Sequence, residues 1–442
     1  MESNLSRRDF LRKSAGATLA ATVGGSAIAA PSILQQGAKG ANDRIRISVF
    51  GMNGRGNNHV QEFMKIKNVE VVNLCDPDLD ILSKRKSEFK QKYNKEVATE
   101  QNMFKVLEDK TIDVISLATP NHWHALQTVY ACQAGKDVYV EKPATHNIAE
   151  GKKIIEASYK YDRIVQHGVQ LRSAPAIREA IQHLRDGVIG NVYMARGLVF
   201  RWRPDIGVKP NEPVPAGLDY DLWCGPARMK PFSRNHVHYN WHWTYEYGNG
   251  DTGNQGIHET DLCMWGLGVD KLPERITSMG GKFLWNDAKE HPEVQTSLYH
   301  YPTEKKMIQF EVRHWCTNLE DGAGVGNIFY GDKGYMVIRG YDEYETFLGE
   351  KREPGPKGKQ GGDHYHFENF IEAVRKHDRT IQNGSVESGH LSSALAHLGS
   401  ISCKLNRVLN FDNNQEQFIG DEEANTYLTR KYRAPYLMPD KI

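Results

Sequence analysis

An excess of either charge is missing from this sequence. Its 442 residues carry 56 lysines and arginines against 55 aspartates and glutamates, a formal net charge of +1. So balanced a chain has no electrostatic footprint for nucleic acid or for an anionic membrane. Paired cysteines are missing too. Cys75, Cys132, Cys224, Cys263, Cys316 and Cys403 stand singly, without metal-ligand spacing. A chain of this size does not need a disulfide framework, so the six are expected to be buried, small and apolar. There is no internal repeat. No stretch reaches the twenty or so apolar residues that cross a bilayer, so the mature protein is expected to have no membrane span.

What is present begins with Ser6-Arg7-Arg8-Asp9-Phe10-Leu11-Arg12, followed by a mildly apolar stretch, Ala15 to Ala30, and an Ala27-Ile28-Ala29 cleavage pattern. Charged region, apolar region and small-residue site in that order predict a twin-arginine signal over residues 1–35 and a periplasmic protein exported already folded. The rest exceeds what one core holds and divides into two expected domains, 42–170 and 171–442.

The first domain alternates. Arg44 to Phe50 reads as a strand ending at a glycine loop, and Asn57 to Ile66 as a helix. Val69 to Leu74 is a second strand ending at Cys75-Asp76. Strands at Val114–Ala118, Val138–Glu141 and Ile164–Val169 alternate with helices near 78–92, 123–134 and 148–160. Such alternation predicts an α/β fold with a Rossmann-type, doubly wound parallel sheet. Beyond Pro175 come longer strand-like runs at 192–200, 275–283, 296–301, 307–315 and 336–339 without crossover helices. They predict a C-terminal α/β domain with an open, mainly antiparallel sheet. Late helices are expected at 367–376 and 387–405, and 349–362 reads as an exposed loop.

Four signals carry chemistry. Gly51-Met52-Asn53-Gly54-Arg55-Gly56 sits between strand and helix, where glycines let backbone N–H groups approach a pyrophosphate. Asp76 lies 25 residues beyond Gly51, at the tip of the second strand. A carboxylate there accepts from ribose hydroxyls and repels a 2′-phosphate, which favours NAD over NADP. Thr119, Pro120, Asn121 and His124 follow a buried strand and are candidates to lie against the cofactor, with Asn121 alternatively capping the next helix. Glu141-Lys142-Pro143 ends a parallel strand, where ligands bind in such sheets. A lysine there can exchange a proton with a hydroxyl. The aromatic run around Tyr239, Trp241 and Trp243 suits either a sugar-binding wall or core packing. His236, His238 and His242 lack a recognised metal spacing, and no metal is expected.

Together the glycine loop, Asp76, the Thr-Pro-Asn turn, Glu141-Lys142-Pro143, and Gly248-Asn249-Gly250 with His258 and Asp261 resemble the Gfo/Idh/MocA oxidoreductases over about residues 42–410. The resemblance implies NAD(P)-linked oxidation of a sugar or polyol, and an open sheet that makes homo-oligomer contacts. It makes Lys142 and His258 the expected catalytic residues. The expected NAD contacts are Gly51, Asn53, Gly54, Arg55, Gly56, Asp76, Thr119, Pro120, Asn121, His124, Glu141 and Lys142. The expected substrate contacts are Asn254, Asp261, Tyr239, Trp241 and Trp243. The sequence departs from the family at Asn254, where an aspartate often stands, so Asp251 or Asp261 is the alternative carboxylate. Two rival readings remain. One is an NAD-dependent glycosidase of the family 109 type working through transient oxidation at sugar C3; retention of Lys142 favours the plain oxidoreductase over it. The other is a non-catalytic sugar-binding member.

Overall fold

The computed structural model describes residues 44–442. The expected export signal lies outside the described residues. Six short apolar runs form the first sheet: β1 (Ile45–Phe50), β2 (Val69–Cys75), β3 (Ala98–Glu100), β4 (Val114–Leu117), β5 (Asp137–Glu141) and β6 (Val165–Gly168). Their order is β3-β2-β1-β4-β5-β6 and every pairing is parallel. Helices connect successive strands, so the sheet is doubly wound, and its order reverses between β1 and β4. The crevice at that reversal, beyond the carboxyl ends of the strands, is where such sheets bind ligands. The three-residue β3 and the helix Met103–Glu108 after it went unpredicted, being too short to show a period.

The second sheet has ten strands: β7 (Val192–Phe200), β8 (Arg275–Gly281), β9 (Val294–Tyr301), β10 (Lys306–Arg313), β11 (Val325–Gly331), β12 (Gly334–Arg339), β13 (Glu343–Leu348), β14 (Glu353–Lys359), β15 (Leu409–Asp412) and β16 (Gln417–Phe418). The order is β14-β13-β12-β11-β7-β10-β9-β8-β15-β16. Only β7 and β10 pair in parallel; the other pairings are antiparallel. Helices Pro175–Arg185, Ile257–Leu267 and Val386–Leu405 share one apolar core with this sheet, through Ile177, Leu262 and Leu398 against Ile308 and Phe329.

Residues 349–362 do not stay a loop. Their middle forms β14, paired to β13. Pro354 and Pro356 are tolerated there because an edge strand is hydrogen-bonded on one side only. Four cysteines are buried as expected, but Cys316 is exposed and Cys403 half-buried. The chain beyond residue 171 also returns to the first sheet. Phe367 and Phe370 of the helix His364–Lys376 pack with Ile47, Phe63 and Tyr139. Phe367 stacks on Tyr139 with ring centroids 4.6 Å apart. That docking carries Asp363 to the glycine loop.

Candidate active site

The glycine loop is shaped by two hard constraints. Gly51 has φ +84°, and a Cβ on it would lie 2.6 Å from the Ala118 carbonyl oxygen. A Cβ on Gly56 would lie 2.1 Å from the Gly51 oxygen. A Cβ on Gly54 would meet nothing within 4 Å, so this glycine borders open space at the start of the helix Arg55–Phe63. Arg85 braces the loop from below, its Nε and Nη2 donating to the Met52 and Asn53 carbonyls at 2.8 Å each. Asp76 receives the Met52 N–H on one oxygen at 2.7 Å and the Asp78 N–H on the other at 3.0 Å. Burial raises its pKa to about 6, against the pull of those two donors. Each carboxylate oxygen keeps a further acceptor site.

A groove of about 230 Å³ is lined by Gly51, Asn53, Gly54, Asp76, Thr119 and Pro120, with Tyr239, Trp241 and Asn254 also on its wall. Open space at Gly54 beside a helix N-terminus, and an acceptor carboxylate at a strand tip, fit a dinucleotide's pyrophosphate and ribose. Asn121 stands one place inside the helix it was expected to cap; Pro120 holds the cap position, and the Asn121 Oδ1 is buried without a partner. His124 lines neither this groove nor the cavity below. Its ring nitrogens face the Pro143 and Thr119 carbonyls at 2.6 and 2.7 Å, tying the turn after β4 to the end of β5.

A second cavity of about 260 Å³ adjoins, and Arg55 lines both. Lys142 and His258 face into it together with Glu141, Gln170, Gln255 and Tyr341. The Lys142 ammonium donates to the Asn254 carbonyl on the groove wall. Glu141 is held by four donors. Its Oε1 accepts from Arg55 Nε at 2.8 Å, Gln170 Nε2 at 3.0 Å and His59 Nε2 at 3.1 Å; its Oε2 accepts from the Lys142 N–H at 3.2 Å. A carboxylate only accepts, so His59 carries its proton on Nε2 and takes the Ser116 hydroxyl on Nδ1, at 2.8 Å. Arg55 reaches on to Asp363 at 2.7 Å.

Burial opposes the charged form of Glu141, yet Arg55, His59 and Lys142 outweigh it and hold the carboxyl well below its usual range. Burial lowers the Lys142 pKa; Glu141 pulls it back up and Arg55 pushes it down. Burial and Lys142 push His258 down to about 3, so its ring is neutral, and its Nδ1 has no partner. The sign of one perturbation follows. Glu141→Gln removes the carboxylate that raises the Lys142 pKa. The acidic limb of the pH–rate profile, along which Lys142 loses its proton to become the base, should therefore move to lower pH. A profile unmoved by this change excludes Lys142 as the titrating base.

Four candidate substrate contacts lie outside the Lys142 cavity. The Asp261 oxygens take a fork from Arg172, Nε to Oδ2 at 2.7 Å and Nη2 to Oδ1 at 3.0 Å, and Asp261 lines neither the groove nor the Lys142 cavity. Trp243 is buried under the Arg203 and Lys289 cations. Tyr239 and Trp241 border the nucleotide groove rather than the Lys142 cavity. Asp251 receives a fork from Arg203 at 2.6 and 2.7 Å, and His314 lies 3.0 Å away, so neither alternative carboxylate is free to tune His258. Asp261→Asn should cost about 1.5–3 kcal/mol of stability, read by denaturant unfolding, while leaving NAD retention intact. Nor do the three histidines converge: His238 bonds Asp78 at 2.7 Å, and His242 donates to the Tyr239 carbonyl at 2.7 Å. Among the described residues no histidine, cysteine and carboxylate group is arranged to hold a metal.

Sequence reasoning missed Gln170, Gln255, Glu259, Tyr341 and Asp363. Gln170 lies two residues past β6, and the strand-tip rule that found Lys142 points to it as well. Glu259 is buried, with its pKa raised to about 8 mainly by burial and its Oε2 unpartnered. Tyr341 and Asp363 arrive from remote segments and carry no local signal.

Comparison with known proteins agrees with this architecture. The family model for the oxidoreductase family, NAD-binding Rossmann fold, matches residues 45–169. Its companion for the C-terminal α/β domain matches 191–290 and 359–438. A levoglucosan dehydrogenase of Pseudarthrobacter phenanthrenivorans is 31% identical over 110 residues, 25% of this chain and 27% of that protein. A glycosyl hydrolase family 109 protein of Solibacter usitatus is 29% identical over 174 residues, 38% of this chain and 39% of that protein. These alignments span less than half the length of either relative. The WlbA dehydrogenase of Bordetella pertussis, solved with NADH and UDP-GlcNAcA, superposes with a TM-score of 0.64 at 18% identity, over 84% of this chain and 98% of that one.

Proposed function

We propose, from the premise that this chain belongs to the Gfo/Idh/MocA family of NAD-binding oxidoreductases, that it oxidises a hydroxyl of a sugar, glycoside or polyol with NAD(H) held through the cycle. The observation that carries the proposal is the single cavity shared by Lys142 and His258, adjoining the nucleotide groove across Arg55. NAD bound in the groove would supply the hydride acceptor. Gly51, Gly54 and Gly56 would cradle its phosphates, and Asp76 would accept from its ribose. Neutral Lys142 takes the proton from the substrate hydroxyl. The neutral His258 ring offers Nδ1 as a hydrogen-bond partner to the same sugar, while Glu141, pinned by Arg55, His59 and Gln170, fixes the strand end that bears Lys142. The arginine pair at Arg7 and Arg8 supports export in the folded state to the periplasm, and the open second sheet supports a homo-oligomer. Outside the cytoplasm no NAD pool exists to exchange with, so the hydride must return to a second substrate or to a later intermediate of the first.

The family 109 relatives favour a second reading, in which oxidation is transient and a glycosidic bond is eliminated. Purified protein incubated with sugars and aryl glycosides, without added acceptor, separates the two. Reduced nicotinamide absorbance with one equivalent of oxidised sugar supports the oxidoreductase. Free aglycone without net reduction replaces it with the glycosidase.

A further inference from the structure

The most voluminous cavity described here belongs to neither site. It measures about 680 Å³ and opens to solvent, and none of its lining residues lines the Lys142 cavity or the nucleotide groove. Its walls come from the segment after Lys142 (His146 and Asn147), from Gly248-Asn249, from the helix Val386–Leu405, and from the returning C-terminal segment 427–433.

Its charge is one-sided. Arg228, Lys404, Arg430, Lys431 and Arg433 face it with one lining carboxylate, Glu246. Glu246 is taken by Arg430 at 2.7 Å and lies 3.7 Å from Arg228, while Arg433 pairs outside the lining with Asp221. Among the described residues Lys404 and Lys431 have no carboxylate partner. Lys404 instead stands 4.7 Å from the ring centroids of both Tyr245 and Tyr427, a placement that orients its ammonium. The polar wall also has open valences. Arg430 has its side chain 11% exposed, yet its Nε is buried without a partner. The Nε2 of His146 and the Oδ1 of Asn249 are likewise unpartnered. Burial and Arg430 hold His146 well below its usual pKa, so its ring is neutral; Nδ1 accepts from Arg430 Nη1 at 3.2 Å, which leaves the unpartnered Nε2 as an N–H donor. Polar atoms left without a partner beside a wide, solvent-open cavity, rimmed by the exposed Lys404 and Thr429, point to a ligand there. Ser400 and Thr429 add hydroxyls to the same wall.

We propose that this cavity binds a small hydroxylated carboxylate, of the chemical class of a uronic acid: the anion meets Arg430 and Lys404, and the hydroxyls meet His146, Asn249, Ser400 and Thr429. The cavity neighbours the active site along the chain. Asn249 Nδ2 donates to the His146 carbonyl at 3.1 Å, four residues beyond Lys142. Asn249 also precedes the short helix Gly250–Asn254, whose last residue takes the Lys142 ammonium. The inference does not depend on the chemistry assigned to Lys142.

Titration calorimetry of the purified holoprotein with D-glucuronate, D-glucose and sodium sulfate, at constant ionic strength, tests it. Glucuronate should bind one site at least about tenfold tighter than glucose or sulfate. Lys404→Met and Arg430→Gln should each weaken glucuronate about tenfold or more, whereas Lys142→Met leaves its binding unchanged. Thermal unfolding checks each variant, and Lys404→Met decides alone should Arg430→Gln not fold. The proposal is overturned if glucuronate does not bind, if sulfate binds equally well, if Lys404→Met binds normally, or if affinity is lost on changing Lys142.

Discussion

Lys142→Met should lower sugar-dependent turnover by about 10²–10⁴-fold, the usual range for a positioned general base, and leave NAD bound through purification. Methionine keeps the length of the side chain but has no nitrogen to accept a proton. The lysine stands at the junction of the two cavities, with its ammonium on the Asn254 carbonyl. Burial lowers its pKa, which favours the neutral, proton-accepting form. Lys142→Arg should not rescue turnover, because a guanidinium stays charged and cannot serve as a base. Unchanged turnover in Lys142→Met would sink the catalytic assignment. Lost NAD in that variant would move the lysine from chemistry to cofactor binding.

Gly56→Ala should abolish NAD retention and cost about 1–3 kcal/mol of stability or more. Its added methyl would lie 2.1 Å from the Gly51 carbonyl oxygen, and backbone rather than a mobile side chain stands in the way. The loop must open to admit it, which carries the N–H groups at the helix start away from the pyrophosphate position. Gly54→Ala is the control. Its methyl would meet no protein atom within 4 Å, so the fold should keep its stability while nucleotide affinity falls. Equal cofactor content in Gly56→Ala and the parent protein, measured by absorbance after purification, would refute the account of the loop.

Much of this was legible beforehand because it is local. Strand, glycine turn, helix and strand follow from short-range periodicity and turn chemistry, and so does the position of Asp76 and Lys142 just past the ends of their strands. The residues that failed did so for a common reason. Asp261 and His124 have polar side chains at plausible positions, but folding supplied each with a protein partner: Arg172 for one, and the Thr119 and Pro143 carbonyls for the other. Pattern alone does not distinguish a satisfied polar group from one facing a ligand. The edge strand β14 was hidden by its prolines, which mark loops in general and are admitted to strands only at an unpaired edge.

The sequence by itself determined the two kinds of sheet, the dinucleotide loop, and the placement of Lys142 at the end of a parallel strand, since each depends on residues within a few positions of one another. Only the tertiary structure decided which groups meet. It brought Asp363 across 308 residues to Arg55, seated Gln170, Gln255 and Tyr341 with Lys142 and His258, and closed a separate cationic cavity with the returning C-terminal segment. The first and last of these meetings follow from the packing of the helix His364–Lys376 and the C-terminal segment onto the first sheet. Apolar burial drives that packing, and it does not specify in advance which polar groups it will carry together.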